Sequence, residues 1–268
     1  MDSETEIGGV TGSTNGYAPV NGIRMYYEIH GKGTPLVLIH GGGSTIQSSF
    51  GNILSLLAKN HQVIAVELQA HGHTSDREGP ETFQQDADDV AALVAYLTIG
   101  SAHFLGFSNG GNTALQIGIR HPLIVKKLVA VSAVYKREGL IPGFFGWMEN
   151  ASLENMPMPL QTAFLTIPGN DQAGLQNMHD KDAARMVHFE DWPKTDLAAV
   201  TAPTLLINAD YDVVLNQHVV EMAGIIPNAR LLILPGIHGS CLGEICTTKP
   251  GSCQPAITAM AVTEFLND

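Results

Sequence analysis

Three residues of the types that build an acyl-transfer site stand far apart in this chain: Ser108, Asp212 and His238. Ser108 sits in Gly106-Phe107-Ser108-Asn109-Gly110, after the apolar run Ala102 to Phe107 and before a helical pattern that ends at Arg120. A serine so placed, at a strand-to-helix junction, forms a nucleophile elbow. The glycines let the backbone fold tightly enough to push the hydroxyl clear of a sheet. The helix after it points the positive end of its dipole at that hydroxyl. A serine hydroxyl is a poor nucleophile until a base takes its proton, and His238 follows the apolar run Arg230 to Leu234 where such a base is needed. A carboxylate must then fix the imidazole tautomer. Asp210 and Asp212 both follow the apolar run Pro203 to Ala209. Asp212 is preferred because it lies further past the strand and can turn back toward the histidine loop, leaving Asp210 to brace the turn. Negative charge developing on a substrate oxygen needs two backbone N–H donors. Asn109, next to the serine, supplies one. The loop His40-Gly41-Gly42-Gly43-Ser44 supplies the other, with Gly42 first and Gly41 or Gly43 in reserve.

These groups meet only if the runs that carry them are strands ending on one side of a common sheet. The chain reads that way. Ile23 to His30, Pro35 to His40, His61 to Glu67, Ala102 to Phe107, Val125 to Ala133, Pro203 to Ala209 and Arg230 to Leu234 are short apolar runs of strand length. Helical patterns lie between them, one opening on Thr82 with Gln85 three residues on, the spacing of a capping box. Strands alternating with helices predict an α/β fold with a mostly parallel central sheet and helices on both faces. The alternation breaks over 135–195, a stretch rich in Pro, Met and aromatic residues, which reads as an inserted helical cap. The expected organisation is therefore a core of 20–134 and 196–268, a cap of 135–195 and a flexible N-terminal segment of 1–19. Phe145, Trp147 and Met148 of the cap, with Gly41 and Gly43 of the glycine loop, are expected to touch substrate.

Composition bounds the partners. The chain has 268 residues, 44% hydrophobic and 15% charged, which suits one soluble globular domain. A formal net charge of −12 argues against binding nucleic acid or anionic membrane. No apolar run approaches the roughly 18–20 residues of a membrane span. No signal peptide is visible, so the expectation is a cytoplasmic protein, or a periplasmic or secreted one if a signal has been removed. Cys241, Cys246 and Cys253 fall in one late loop. Two readings stand there: a disulfide between Cys246 and Cys253, or three reduced thiols. His71-x-His73 could chelate a metal, but no carboxylate pair completes a ligand set. His40 is read as a buried brace for its loop, and no metal or cofactor is expected.

With these residues assembled, the chain resembles the α/β-hydrolase fold superfamily over essentially all of Val20 to Leu266. The resemblance rests on His40-Gly41-Gly42-Gly43, His71-Gly72-His73-Thr74-Ser75, Gly106-Phe107-Ser108-Asn109-Gly110-Gly111, Asp212 and His238. The chain order Ser, Asp, His is also that superfamily's. It implies a cap inserted between the sixth and seventh core strands. It also implies a serine hydrolase that cleaves carboxylic esters of small molecules through an acyl-enzyme on Ser108. The alternatives are a lactonase or a C–C bond hydrolase with the same triad, the latter favoured by a cap arginine such as Arg137 or Arg185. A ligand-binding receptor that keeps the triad is the non-enzyme reading. The expected partner is a small ester or lactone, with the chain as monomer or homodimer.

Overall fold

Residues 13–268 are described by the structure, a computed structural model. Strands β1 (Thr14–Val20) and β2 (Ile23–His30) form an antiparallel hairpin around Asn21-Gly22. Both turn residues have positive φ, 42° and 87°, the geometry that makes Asn-Gly the preferred two-residue hairpin turn. This corrects the expected flexible segment 1–19. Residues 1–12 lie outside the described residues, whereas 14–20 are strand, with Ala18 and Val20 buried.

After β3 (Thr34–Ile39) come the short helices α1 (Ile46–Phe50) and α2 (Leu54–Leu57), then β4 (His61–Val66) and α3 (Phe83–Tyr96). Strand β5 (Ala102–Phe107) runs into α4 (Asn109–Arg120), followed by β6 (Val125–Val131). The capping box expected at α3 forms by half. Thr82 accepts from the Gln85 N–H, but the Gln85 side chain turns to Asp89 instead of back to the cap. A complete box stands ahead of α1, between Thr45 and Ser48.

Four helices, α5 (Phe144–Glu149), α6 (Met158–Leu165), α7 (Gln172–Val187) and α8 (Lys194–Ala198), separate β6 from β7 (Thr204–Tyr211). Met156, Phe164, Leu175 and Met178 form a small core within this segment. Its two ends belong to the body, because Tyr135, Phe189 and Trp192 pack into the main core. The chain closes with α9 (Asn216–Ile225), β8 (Ala229–Ile237) and α10 (Gln254–Asn267).

The eight strands form one sheet in the order β1-β2-β4-β3-β5-β6-β7-β8, parallel from β4 to β8 and antiparallel at β1 and β2. Each central strand is buried on both faces, which is why its sequence is a solid apolar run. Val37, Ile39, Ile64 and Val66 face α3 and α4, while Leu36, Leu38, Val63 and Ala65 face α1, α2 and α10. Because β3, β5, β7 and β8 run the same way, their carboxyl ends converge. The glycine loop, Ser108, Asp212 and His238 all leave the sheet there. In the late loop Cys241 is buried, Cys246 and Cys253 are exposed, and all three are free thiols, so the pairing of Cys246 with Cys253 is not formed.

Candidate active site

Ser108 stands between β5 and α4 at φ 54° and ψ −119°, a conformation a side-chain-bearing residue adopts only under constraint. The constraint is visible at its neighbours. A Cβ on Gly106 would lie 1.9 Å from the Gly110 carbonyl oxygen, and one on Gly110 would lie 2.1 Å from that of Ile39. Only glycine lets strand, turn and helix approach this closely. The hydroxyl is thereby aimed away from the sheet toward His238, whose Nε2 lies 3.1 Å from Ser108 Oγ.

The other ring nitrogen, His238 Nδ1, lies 2.7 Å from Asp212 Oδ1. Asp212 is buried and fully occupied: Oδ1 also accepts from the Val214 N–H at 3.2 Å, and Oδ2 accepts from Ser132 Oγ at 2.7 Å. Burial alone would raise its pKa. The facing His238 ring and the hydrogen bonds outweigh that and hold the carboxyl below its ordinary range. Asp210 is exposed and takes a different task, accepting from the Gly236 N–H at 2.7 Å and so tying the histidine loop to β7. The structure therefore brings Ser108, Asp212 and His238 into one hydrogen-bonded chain and leaves Asp210 outside it. Ser132 was not singled out by sequence reading. Its signal was slight, a lone serine at the end of an apolar strand, yet like Ser108 it sits at φ 54°.

In the glycine loop, His40 braces the turn from within. Nδ1 donates to the Gly41 carbonyl at 2.7 Å, and Nε2 accepts from the Leu68 N–H at 3.0 Å. Complete burial, with the charge of His71 nearby, drives its pKa down to about 3 and keeps it neutral. The Gly41 N–H donates to Ser49 Oγ, and the Gly43 N–H donates to the Asp182 carboxylate. Among the described residues, the N–H groups of Gly42 and Asn109 have no protein acceptor. Both residues line the cavity in front of Ser108.

That cavity, about 320 Å³, lies between the carboxyl ends of the strands and the segment carrying α5–α7. Of the residues expected to touch substrate, Gly43, Trp147 and Met148 line it, whereas Gly41 and Phe145 do not. The reason for Phe145 is helical geometry. Phe144, Trp147 and Met148 occupy positions i, i+3 and i+4 of α5 and share one face, which Phe145 cannot join. Its ring instead carries the Arg137 guanidinium, 3.5 Å from the centroid. Gly41 lies behind the wall: a Cβ there would meet the Phe107 ring at 3.1 Å. The remaining walls are mostly apolar, including Val134, Leu140, Met156, Leu160 and Met186. Among the described residues that line it there is no Lys or Arg. Arg137 spends its guanidinium on the Val187 and Phe189 carbonyls, and Arg185 is buried against Asp86 and Asp182.

His71 and His73 point to different partners. His71 Nε2 lies 2.8 Å from Asp182 Oδ2, and His73 Nδ1 lies 2.8 Å from Glu67 Oε2. Among the described residues no group of three His, Cys, Asp or Glu side chains could hold a metal ion.

A family model described as the alpha/beta hydrolase fold matches residues 34–160. A non-heme haloperoxidase of Rhodococcus erythropolis is 27% identical over 250 residues, covering 82% of this chain and 91% of that protein. The enol-lactonase of Burkholderia xenovorans LB400 superposes with a TM-score of 0.70 at 23% identity, covering 94% of this chain and all of that one. A thermophilic esterase of Thermogutta terrifontis superposes with a TM-score of 0.71 at 21% identity, covering 96% of this chain and 98% of its own.

Proposed function

On the alpha/beta hydrolase fold that the family model and the solved structures share with this chain, we propose that it is a hydrolase of that superfamily that cleaves small, uncharged carboxylic esters through an acyl-enzyme on Ser108. The observation that carries the reading is the hydrogen-bonded chain Asp212–His238–Ser108 opening onto an apolar cavity with no cationic wall. His238 takes the Ser108 proton as Oγ attacks the carbonyl carbon, and Asp212 holds the imidazole tautomer and stabilises the imidazolium. The tetrahedral oxyanion is received by the Gly42 and Asn109 N–H groups, which have no protein acceptor among the described residues. His238 then gives its proton to the leaving alcohol, and water, activated by the same imidazole, releases the acid.

The same machinery opens a lactone, whose alcohol leaves without departing the molecule. Cleavage of C–C bonds in acid-bearing substrates has less support, because neither Arg137 nor Arg185 faces the cavity. A receptor role would leave an acceptor-free pair of N–H groups beside an aligned nucleophile with no use.

The test is a burst assay with p-nitrophenyl esters of graded acyl length, run beside Ser108→Ala. A pre-steady-state burst in the parent, absent from a variant slowed by at least about 10⁴-fold, is expected. A Ser108→Ala protein that kept full turnover would sink the reading.

A further inference from the structure

Asp182, on cap helix α7, reaches the two strands of chain that present the oxyanion donors. Its Oδ2 accepts from the Gly43 N–H, one residue past Gly42, and lies 2.8 Å from His71 Nε2. Its Oδ1 accepts from Asn109 Nδ2 at 3.2 Å, the side chain of the residue whose backbone N–H is the second donor. The packing between them is tight: a Cβ on Gly42 would lie 2.5 Å from Asn109 Nδ2 and 3.1 Å from Asp182 Oδ2. An ion pair that merely fastened the cap would need Arg185 alone. Here the carboxylate spends an oxygen on each side of the oxyanion hole.

A bare carboxylate so close to a developing oxyanion would oppose catalysis, but this one is neutralised. Arg185, one turn along α7, bonds Asp182 Oδ1 and crosses to Asp86 of α3 at 2.6 Å, with Glu81 at 3.7 Å. Both nitrogens of His71 face oxygen, Nδ1 toward the Gln69 carbonyl at 2.7 Å and Nε2 toward Asp182, the arrangement of an imidazolium. The Gly43 N–H is thereby taken up by Asp182, leaving the Gly42 N–H as the glycine-loop donor with no protein acceptor among the described residues.

We propose that Asp182 is a positioning residue that clamps the Gly42–Gly43 turn to Asn109 and so makes assembly of the oxyanion hole depend on docking of the cap helix. This rests on the ester-hydrolase reading above for its catalytic half, and on geometry alone for the clamp.

The experiment compares the parent with Asp182→Asn and Asn109→Ala in three measurements. The first is kcat and KM on a p-nitrophenyl ester, counted per site titrated with a fluorophosphonate. The second is Ki for an alkyl boronic acid, whose tetrahedral adduct places an oxygen in the hole. The third is hydrogen exchange at the Gly43 amide by NMR, which needs no turnover. In Asp182→Asn, kcat should fall about 30-fold with KM within about threefold, since displacing a donor costs less than the 10²–10³ of deleting one. The boronate Ki should rise in step with the loss in kcat/KM, and Gly43 exchange should accelerate. Asn109→Ala leaves no buried charge unpaired and keeps its backbone N–H, so it decides the matter if Asp182→Asn does not fold; about a tenfold loss of kcat is expected. A folded Asp182→Asn with parental kcat per site and parental Gly43 exchange overturns the proposal, as does parental kcat in Asn109→Ala. Parental kcat per site with faster Gly43 exchange overturns the catalytic half, whereas retained turnover in Ser108→Ala is failure of the ester-hydrolase reading itself.

Discussion

Three hydrogen bonds converge on the carboxylate of Asp212, and one of them comes from a residue held in an unfavourable backbone conformation. Ser132 leaves β6 at φ 54° and donates its hydroxyl to Asp212 Oδ2 at 2.7 Å. A hydrogen bond to a charged acceptor contributes about 1.5–3 kcal/mol, and tenfold in rate corresponds to about 1.4 kcal/mol. Ser132→Ala should therefore lower kcat on esters about tenfold, with KM little changed, because the serine acts through Asp212 and His238 and not on substrate. The bond also favours the ionised carboxylate. Its loss should raise the Asp212 pKa and move the acid limb of the kcat profile to higher pH. Steady-state kinetics between pH 4.5 and 8, on protein whose near-UV spectrum matches the parent, would check both effects. Unchanged kcat together with an unchanged acid limb would show that Asp212 is held by the backbone alone.

At the scale of elements, α5 shows how one residue of helical phase decides what a side chain does. Successive residues are rotated by about 100°, so Phe144, Trp147 and Met148 face the cavity while Phe145 carries Arg137. Trp147 is 59% exposed, so truncating it removes only part of an aromatic wall. Trp147→Ala should lower kcat/KM about three- to tenfold for long acyl chains, as expected from losing about 1 kcal/mol of apolar contact, and little for acetate. Phe145→Ala should leave the acyl-length profile unchanged; a shift as large as that of Trp147→Ala would mean that α5 is rotated. The sheet could be read because its central strands are buried on both faces and alternate with helices, which leaves a pattern in every run from Pro35 to Leu234. Ser108, Asp212 and His238 could be placed because each follows such a run. The first strand was missed because its signal is a two-residue turn, Asn21-Gly22, in a polar stretch. Neither the phase of α5 nor the role of Asp182 was legible. Both depend on how the cap docks, and Asp182 meets Gly43 across 139 residues of chain. No local pattern encodes such a contact.

The whole molecule buries imidazoles that it keeps neutral and one that it keeps charged, and the two kinds set opposite limits on stability. Burial lowers His40 to about 3 and His103 and His218 to about 4, and it also lowers His61. Among the described residues, His61 has no hydrogen-bond partner at either ring nitrogen, and His103 has none at Nδ1. On unfolding, all four return toward 6.5. Between about pH 6.5 and 4 the unfolded chain therefore binds more protons, and stability falls as the pH falls. His71 has the opposite sign. Burial works against its charge, but the Asp182 carboxylate outweighs burial and lifts its pKa to about 9. The stability it contributes is complete below 6.5 and is lost as the pH rises through about 9. Burial also raises Glu81 to about 7 and Asp86 to about 6, so the folded chain holds protons there that the unfolded chain releases. The stability these two carboxyls contribute is lost as the pH rises toward about 7, which offsets part of the acid limb, but four imidazoles outnumber them. Scanning calorimetry from pH 4.5 to 9.5 should then give a Tm that peaks near neutrality and falls on both sides. His103→Leu should flatten the acid side without leaving a new orphaned group, and His71→Gln should flatten the alkaline side while lowering the peak. A Tm that rose steadily across the range would mean that His71 is neutral in the folded chain, and that the charge beside the oxyanion loop is balanced by Arg185 alone.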